Sequence, residues 1–217
     1  MRALTWMNEV TDVNTRSEMN STSREITASL ASKAAKGDRN AFCELYGRYK
    51  DRLYRYALYK LRDPHMAEDA VSETVLAAWK GIEKLKSETA FGTWIYRILS
   101  NRCNTMLADE IQQRSNLENI YRETIAANAS VTISSGAGHS IAGSGMSDST
   151  GRNEDPALSI ELRQALDMLS DENRQIVLLS VVADLNSTEI AEITGLNANT
   201  VRSRLARSLA QMREFLS

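Results

Sequence analysis

Residues 185–209, LNSTEIAEITGLNANTVRSRLARSL, constrain the fold more than any other stretch of the chain. Asn186 and Glu189 form an N-x-x-E start, close to a capping box. Ile190, Ala191 and Ile193 then supply an apolar side. Gly195 can adopt the left-handed backbone that ends such a helix. Asn197 can cap a second helix running through 200–216. The pattern predicts a helix-turn-helix, whose second helix fits the major groove of DNA.

At about 100° per residue, Val201, Leu205, Leu209, Met212 and Leu216 fall on one stripe of that second helix, which should pack. Asn199, Ser203 and Arg207 lie opposite, flanked by Thr200, Arg202 and Arg204, and no acid occurs between Asn197 and Arg213. Arginine can grip guanine with two hydrogen bonds, and Asn, Ser and Thr reach base edges or phosphates. Arginines near a helix C-terminus also suit the dipole without binding anything. The capped first helix and the glycine turn favour the DNA-reading alternative.

The chain has 217 residues, enough for one or two domains, and two prolines with 42% apolar residues suit a helical protein. Net charge is −2, so contact with nucleic acid must come from local patches. Cys43 and Cys103 are far apart within helical patterns, which predicts two reduced, partly buried thiols in a cytosolic protein. His65 and His139 are isolated, and no Cys/His spacing resembles a zinc site. No apolar run approaches a membrane span and no signal peptide is visible. No nucleophile–base pair, phosphate loop or metal cluster stands out, so neither catalysis nor a cofactor is expected.

Three zones follow one another. Residues 26–108 are densely periodic. Residues 109–155 drift into Gly, Ser, Ala and Asn, which predicts a flexible linker, although its first part, 109–127, could continue as a helix. Residues 156–217 are periodic again. Residues 1–25 are polar and aperiodic, an expected disordered extension, and Met7 and Met19 offer later starts. The expected fold is all-α, two small helical domains on a tether.

In the first periodic zone a short helix at 26–36 should stop at Gly37. A second, capped by Asp38, should run to Leu61, where Asp63 and Pro64 break it. A third spans 64–85, burying Val71, Val75, Ala78, Trp79, Ile82 and Leu85. Its opposite face carries Asp69, Glu73, Lys80 and Lys84. A fourth helix, 91–107, should pack Phe91, Trp94, Ile95, Ile98 and Leu99. Thr93, Arg97, Ser100, Asn101 and Asn104 share its other face, a mixture suited to bases and phosphates of single strands.

Two blocks carry a family resemblance. One is AFCELYGRYKDRLYRYALYKLRDPHMAEDAVSETVLAAWKGIEKLKSETAFGTWIYRILSNRCNTML; the other is LRQALDMLSDENRQIVLLSVVADLNSTEIAEITGLNANTVRSRLARSLAQMREFL. In this order they resemble regions 2 and 4 of the extracytoplasmic-function (ECF) sigma factors, group IV of the bacterial sigma-70 family. The resemblance implies a cytoplasmic promoter-specificity subunit of RNA polymerase and no enzyme. Region 2 of the family, here 26–108, binds the clamp helices of the largest polymerase subunit and reads the −10 element. Region 4, here 156–217, binds the flap of the other large subunit and reads the −35 element.

Carried onto this chain, the resemblance makes 69–84 the clamp-binding helix, with Asp69, Glu73 and Lys80 as contacts. Ser72 stands where the family more often has Gln. The loop 86–90, with Lys86 and Ser87, matches the family's pocket for a flipped −10 base, and Asn101 matches the position lining it. Arg97 and Asn104 share that face. Asn199, Thr200, Arg202, Ser203, Arg204 and Arg207 become the −35 set, and Ala206 could touch a thymine methyl. The resemblance also implies an anti-sigma factor as partner, without membrane insertion of this chain. A stand-alone helix-turn-helix regulator would need neither the charged helix face nor the Asn101 surface.

Overall fold

The computed structural model describes residues 16–85, 87–129 and 160–216. Among them the chain is all-α, eight α-helices and two 3-10 turns with no strand. Helix α1 is Arg16–Ala35, α2 Arg39–Leu61 and α3 Pro64–Gly81; the turns Ile82–Lys84 and Glu88–Ala90 lead into α4, Phe91–Ala129. The C-terminal set is α5 Ile160–Asp167, α6 Asp171–Val181, α7 Ser187–Thr194 and α8 Ala198–Leu216.

Local chemistry sets most boundaries. Gly37, at φ 92°, takes a backbone that side chains avoid and turns the chain out of α1. Asp38 Oδ1 then accepts the N–H groups of Asn40 at 2.9 Å and Ala41 at 3.1 Å, starting α2. Asp63 does the same for α3 by accepting from Met66 N at 2.8 Å. Pro64 sits in the first turn of α3, where its missing N–H costs nothing.

Two elements differ from the sequence pattern. Helix α1 opens at Arg16, so 16–25 is helical; neither Pro nor Gly interrupts it, and Thr27, Leu30, Ala31 and Ala34 anchor it by burial. Helix α3 ends at Gly81 and tightens into the turn Ile82–Lys84. A Cβ on Gly81 would come within 3.3 Å of Trp94, so that ring packs against bare backbone. Helix α4 runs past 107 to Ala129, the helical alternative that the sequence left open for 109–127. Residues 1–15 of the expected extension, Lys86, and 130–155 of the expected linker lie outside the described residues.

The region 2 helices close over Leu45, Leu53, Tyr56, Phe91, Ile95, Tyr96 and Leu99, all essentially solvent-free. Aromatic rings meet edge to face, Phe42 on Trp79 at 5.0 Å and Tyr49 on Phe91 at 5.4 Å, an arrangement favoured by the ring quadrupoles. The region 4 helices bury Ile176, Leu178, Leu179, Ile190, Val201 and Met212.

Arg174 staples the α5–α6 corner from inside. Its guanidinium donates to Leu166 O at 3.0 Å, Leu169 O at 3.1 Å and Asp171 Oδ1 at 3.0 Å. Leu166 O, in the last turn of α5, also accepts the Leu169 N–H at 3.2 Å, and Leu169 O lies in the corner just after the helix. Burial draws the Arg174 pKa down, while the Asp171 and Asp167 carboxylates oppose that shift.

The helices up to Leu107 and those from Ile160 onward belong to one compact unit, and the part of α4 from Ala108 to a second. Within the first unit regions 2 and 4 touch, α2 lying against α6. Among the described residues no helix is long and apolar enough to cross a membrane.

Candidate nucleic-acid interface

The helix-turn-helix is assembled from short-range bonds. Asn186 Oδ1 accepts from Thr188 N at 2.9 Å and Glu189 N at 3.0 Å, and Glu189 Oε2 accepts from Asn186 N at 2.8 Å. The reciprocal pair is a complete capping box. Gly195, at φ 73°, closes α7 by donating to Ala191 O at 2.9 Å. Asn197 Oδ1 accepts from Asn199 N at 2.8 Å and opens α8.

On α8, Asn199, Arg202, Ser203 and Arg207 are exposed on one side, while Val201, Ser208 and Met212 are buried and Leu205, Leu209 and Leu216 half-buried. The exposed set is pre-positioned by its own helix. Arg202 Nη2 donates to Asn199 Oδ1 at 2.8 Å, Ser203 Oγ to Asn199 O at 2.9 Å, and Arg207 Nε to Ser203 O at 3.3 Å. Thr200 is half-buried. Arg204 is drawn aside by an ion pair with Glu172 of α6. The segment itself contains no acid; the tertiary fold supplies one.

The face of α4 is less open. Asn101 and Asn104 are exposed, and among the described residues neither side chain has a hydrogen-bond partner. Ser87 is exposed and shares a 2.8 Å hydrogen bond with Thr89 Oγ1. Lys86 lies outside the described residues. Thr93 and Ser100 depart from expectation, being 5% and 1% exposed. Ser100 Oγ accepts from Gln175 Nε2 of α6 at 2.9 Å. Arg97 is exposed but engaged, its Nη2 donating to Glu192 O of α7 at 3.2 Å and Glu192 Oε2 at 3.5 Å. The pattern of α4 alone placed these residues on an open side; region 4 covers part of that side.

Further polar contacts continue this seam. Lys60 Nζ donates to Gln175 Oε1 at 2.9 Å, so one amide bridges α2 and α4. Arg62 Nη2 lies 2.7 Å from Asp167 Oδ1, and Arg24 Nη2 lies 4.0 Å from Glu189 Oε1. Burial pushes the Lys60 ammonium down to about 8. Burial also pushes the neighbouring Cys103 thiol up to about 11, against the opposing pull of Lys60. Cys43 is exposed rather than partly buried, and Cys103 is buried; both are free thiols.

On α3, Asp69, Glu73 and Lys80 are exposed along one side, as the pattern predicted. Glu73 pairs with Arg102 of α4. Sequence reasoning passed over Leu76, which sits at the middle of this charged stripe with 60% of its surface in water. The available signal was an apolar residue three positions after Glu73 and four before Lys80, on the polar side of the helix. A large exposed apolar group inside a charged stripe suits a protein partner.

No group of three or more His, Cys, Asp or Glu side chains able to hold a metal occurs among the described residues.

Comparison with known proteins agrees with this geometry. Residues 45–112 match the model of Sigma-70 region 2, and residues 159–212 that of Sigma-70, region 4. The ECF RNA polymerase sigma factor SigW of Bacillus subtilis is 29% identical over 186 residues, 83% of this chain and 91% of that protein. The ECF RNA polymerase sigma factor SigM of Mycobacterium tuberculosis is 25% identical over 190 residues, 87% of this chain and 84% of that protein. Two solved structures share the fold. CnrH in complex with the cytosolic domain of CnrY has a TM-score of 0.59 at 19% identity, covering 88% of this chain and 97% of that one. The sigma factor RpoE in complex with the anti-sigma factor NepR from Bartonella quintana has a TM-score of 0.55 at 21% identity, covering 81% and 96%. With both sigma regions matched in order along the sequence, this chain belongs to the ECF sigma factors of the bacterial sigma-70 family.

Proposed function

We propose that this chain recruits core RNA polymerase to promoters by reading a −35 element with α8 and a −10 element with α4, and that an anti-sigma factor restrains it. The observation that carries the reading is the exposed Asn199–Arg202–Ser203–Arg207 set, held in order on a helix that follows a capped helix and a glycine turn. Arg202 and Arg207 would take guanine edges or phosphates, and Asn199, Thr200 and Ser203 the adjoining edges. Arg204 would anchor α8 through Glu172 until a phosphate competes for it.

On α4, Asn101 and Asn104 have unused amide donors and acceptors, the chemistry that an unstacked base needs. Ser87 and Lys86 would line the pocket beside them, and Arg97 would neutralise the strand backbone. Asp69, Glu73 and Lys80, with Leu76 among them, form the surface offered to the polymerase clamp helices, and region 4 meets the flap of the other large subunit. No chemical step falls to this chain, which acts in the cytoplasm with the polymerase. The working domains are 26–108 and 156–217, joined by 109–155.

The connection is long enough. The two elements are about 25 base pairs apart, roughly 85 Å at about 3.4 Å per pair. Residues 109–129 contribute roughly 30 Å as helix at about 1.5 Å per residue, and 130–155 reach at most about 90 Å. Two weak sites joined this way bind together far more tightly than either alone.

Run-off transcription with purified core polymerase tests the reading. Transcript starts that depend on this chain, with shared sequences about 10 and 35 base pairs upstream, are the expected outcome. Polymerase that starts nowhere in its presence would refute it. Co-purification from cells tests the restraint: a second protein that suppresses those transcripts is expected, and recovery of polymerase alone under every growth condition would refute it.

A further inference from the structure

We propose that the distal half of α4 is an interface between two copies of this chain, which pair antiparallel along a stripe through Ile111, Arg114, Glu118 and Tyr121. The inference stands apart from the promoter reading.

Among the described residues, Leu107 is the last of α4 to pack on the core. Beyond it Ile111, Leu117 and Tyr121 expose 69%, 66% and 68% of their surface. Burying three such side chains per copy is a driving force that a solvated helix leaves unused. Positions 107, 111, 114, 118, 121 and 125 alternate steps of four and three, and hold Leu, Ile, Arg, Glu, Tyr and Ile in that order. That spacing lets two helices interlock. Gln112, Gln113, Asn116 and Asn119 fall on the opposite flank. One flank is therefore apolar with a charged centre, and the other is neutral amide. Ile120, also exposed, lies off the stripe.

The charges select a second copy and its direction. In a parallel pair Arg114 would face Arg114, and Glu118 would face Glu118. In an antiparallel pair Arg114 of each copy faces Glu118 of the other, Ile111 faces Tyr121, and Leu117 meets its counterpart beside the two-fold axis. Sliding one copy by a heptad sets Ile111 against Arg114 or Glu118 against Tyr121. One register alone matches apolar with apolar and plus with minus. Each central charge also has a partner on its own helix: Arg114 Nη2 lies 2.6 Å from Glu110 Oε1, and Arg122 Nη2 lies 2.6 Å from Glu118 Oε1. The charges thus enter the contact already paired, which limits the cost of taking them out of water. Those pairs, and the 3.0 Å bond from Gln112 Nε2 to Asn116 Oδ1, support the helix before a partner arrives. The contact is small, so association should be reversible, with a dissociation constant on the order of 10 µM.

Sedimentation velocity of the full chain, from about 1 to about 200 µM, tests the pairing. A reductant is present, so that the exposed Cys43 cannot link copies. A shift from monomer to dimer across that range is expected. Ile111→Glu should weaken association at least about tenfold at unchanged helical circular dichroism. Arg114→Glu and Glu118→Arg, each alone, set like charges face to face and should weaken it about tenfold. A parallel pair would be indifferent to either, since one like pair replaces another. The two single variants mixed together should associate about tenfold more tightly than either alone, because opposite charges then face each other. Gln113→Glu, on the amide flank, should change nothing.

A chain that stays monomeric at the top of that range overturns the proposal. So does a dimer that Ile111→Glu leaves intact, because its contact lies elsewhere. A dimer that Ile111→Glu breaks but the charge variants do not touch overturns the antiparallel register. A monomer whose Ile111→Glu variant loses core polymerase or another protein in pull-downs gives the stripe to that partner and overturns the pairing of copies.

Discussion

The two helices proposed to read DNA, α8 and α4, are built in opposite ways. The recognition face of α8 is local. Its cap, its glycine turn and the bonds that order Asn199, Arg202, Ser203 and Arg207 all span four residues or fewer. The face of α4 is tertiary. Ser100 and Arg97 are engaged by Gln175 and Glu192, which are 75 and 95 residues away in sequence. A surface made by neighbours along one helix is ready whenever the helix exists. A surface defined by distant partners can be switched by moving them.

The contrast is open to attack. The largest effect is expected from Arg202→Ala with Arg207→Ala, about a 100-fold loss of promoter-dependent transcription and a shallower salt dependence of DNA binding. Polymerase pull-down should be unchanged. If transcription persists at the parent level, α8 is not the −35 reader.

Region 4 holds its α5–α6 corner with one buried cation, Arg174. Arg174→Ala removes the guanidinium that donates to Leu166 O, Leu169 O and Asp171 and should cost about 3 kcal/mol of stability, read by denaturant unfolding. A loss below a few tenths of that would mean solvent replaces the staple. Asn101→Ala, at the unengaged part of α4, should weaken promoter opening by about 2 kcal/mol, or roughly 30-fold, at unchanged stability. Permanganate footprinting of opened thymines measures it, and opening at parental efficiency would remove Asn101 from the pocket.

The smallest effect probes the seam. Lys60 has a folded pKa of about 8, below its ordinary 10.5. Between those values the unfolded chain binds more protons than the folded one, so stability rises with pH. Cys103 opposes this above its ordinary 9, because its folded thiol holds the proton to about 11. The clean window is therefore pH 8 to 9, where Lys60 should contribute a gain of roughly 1 kcal/mol. Melting curves of Lys60→Met should lose that slope; a slope unchanged by the substitution would assign it elsewhere.

How much could be read in advance follows the same division. Asp38, Asp63, Asn186 and Gly195 act within a turn of their own position, and the boundaries they set agree with the sequence pattern. The helical angle likewise placed Asp69, Glu73 and Lys80 on one exposed side of α3. The pattern misjudged Thr93 and Ser100, since the angle says which residues share a face but not what covers it. It also missed the pairings of Arg204 with Glu172 and Glu73 with Arg102, because charge partners on other helices leave no mark on a local window.

By itself the sequence determined the all-α architecture, the helix-turn-helix and the order of the α8 side chains, because capping, periodicity and i-to-i+4 bonding are short-range physics. Only the tertiary structure decided which part of α4 is open and which is held. That outcome depends on α6 and α7 bringing Gln175 and Glu192 onto a surface that no local rule connects to them.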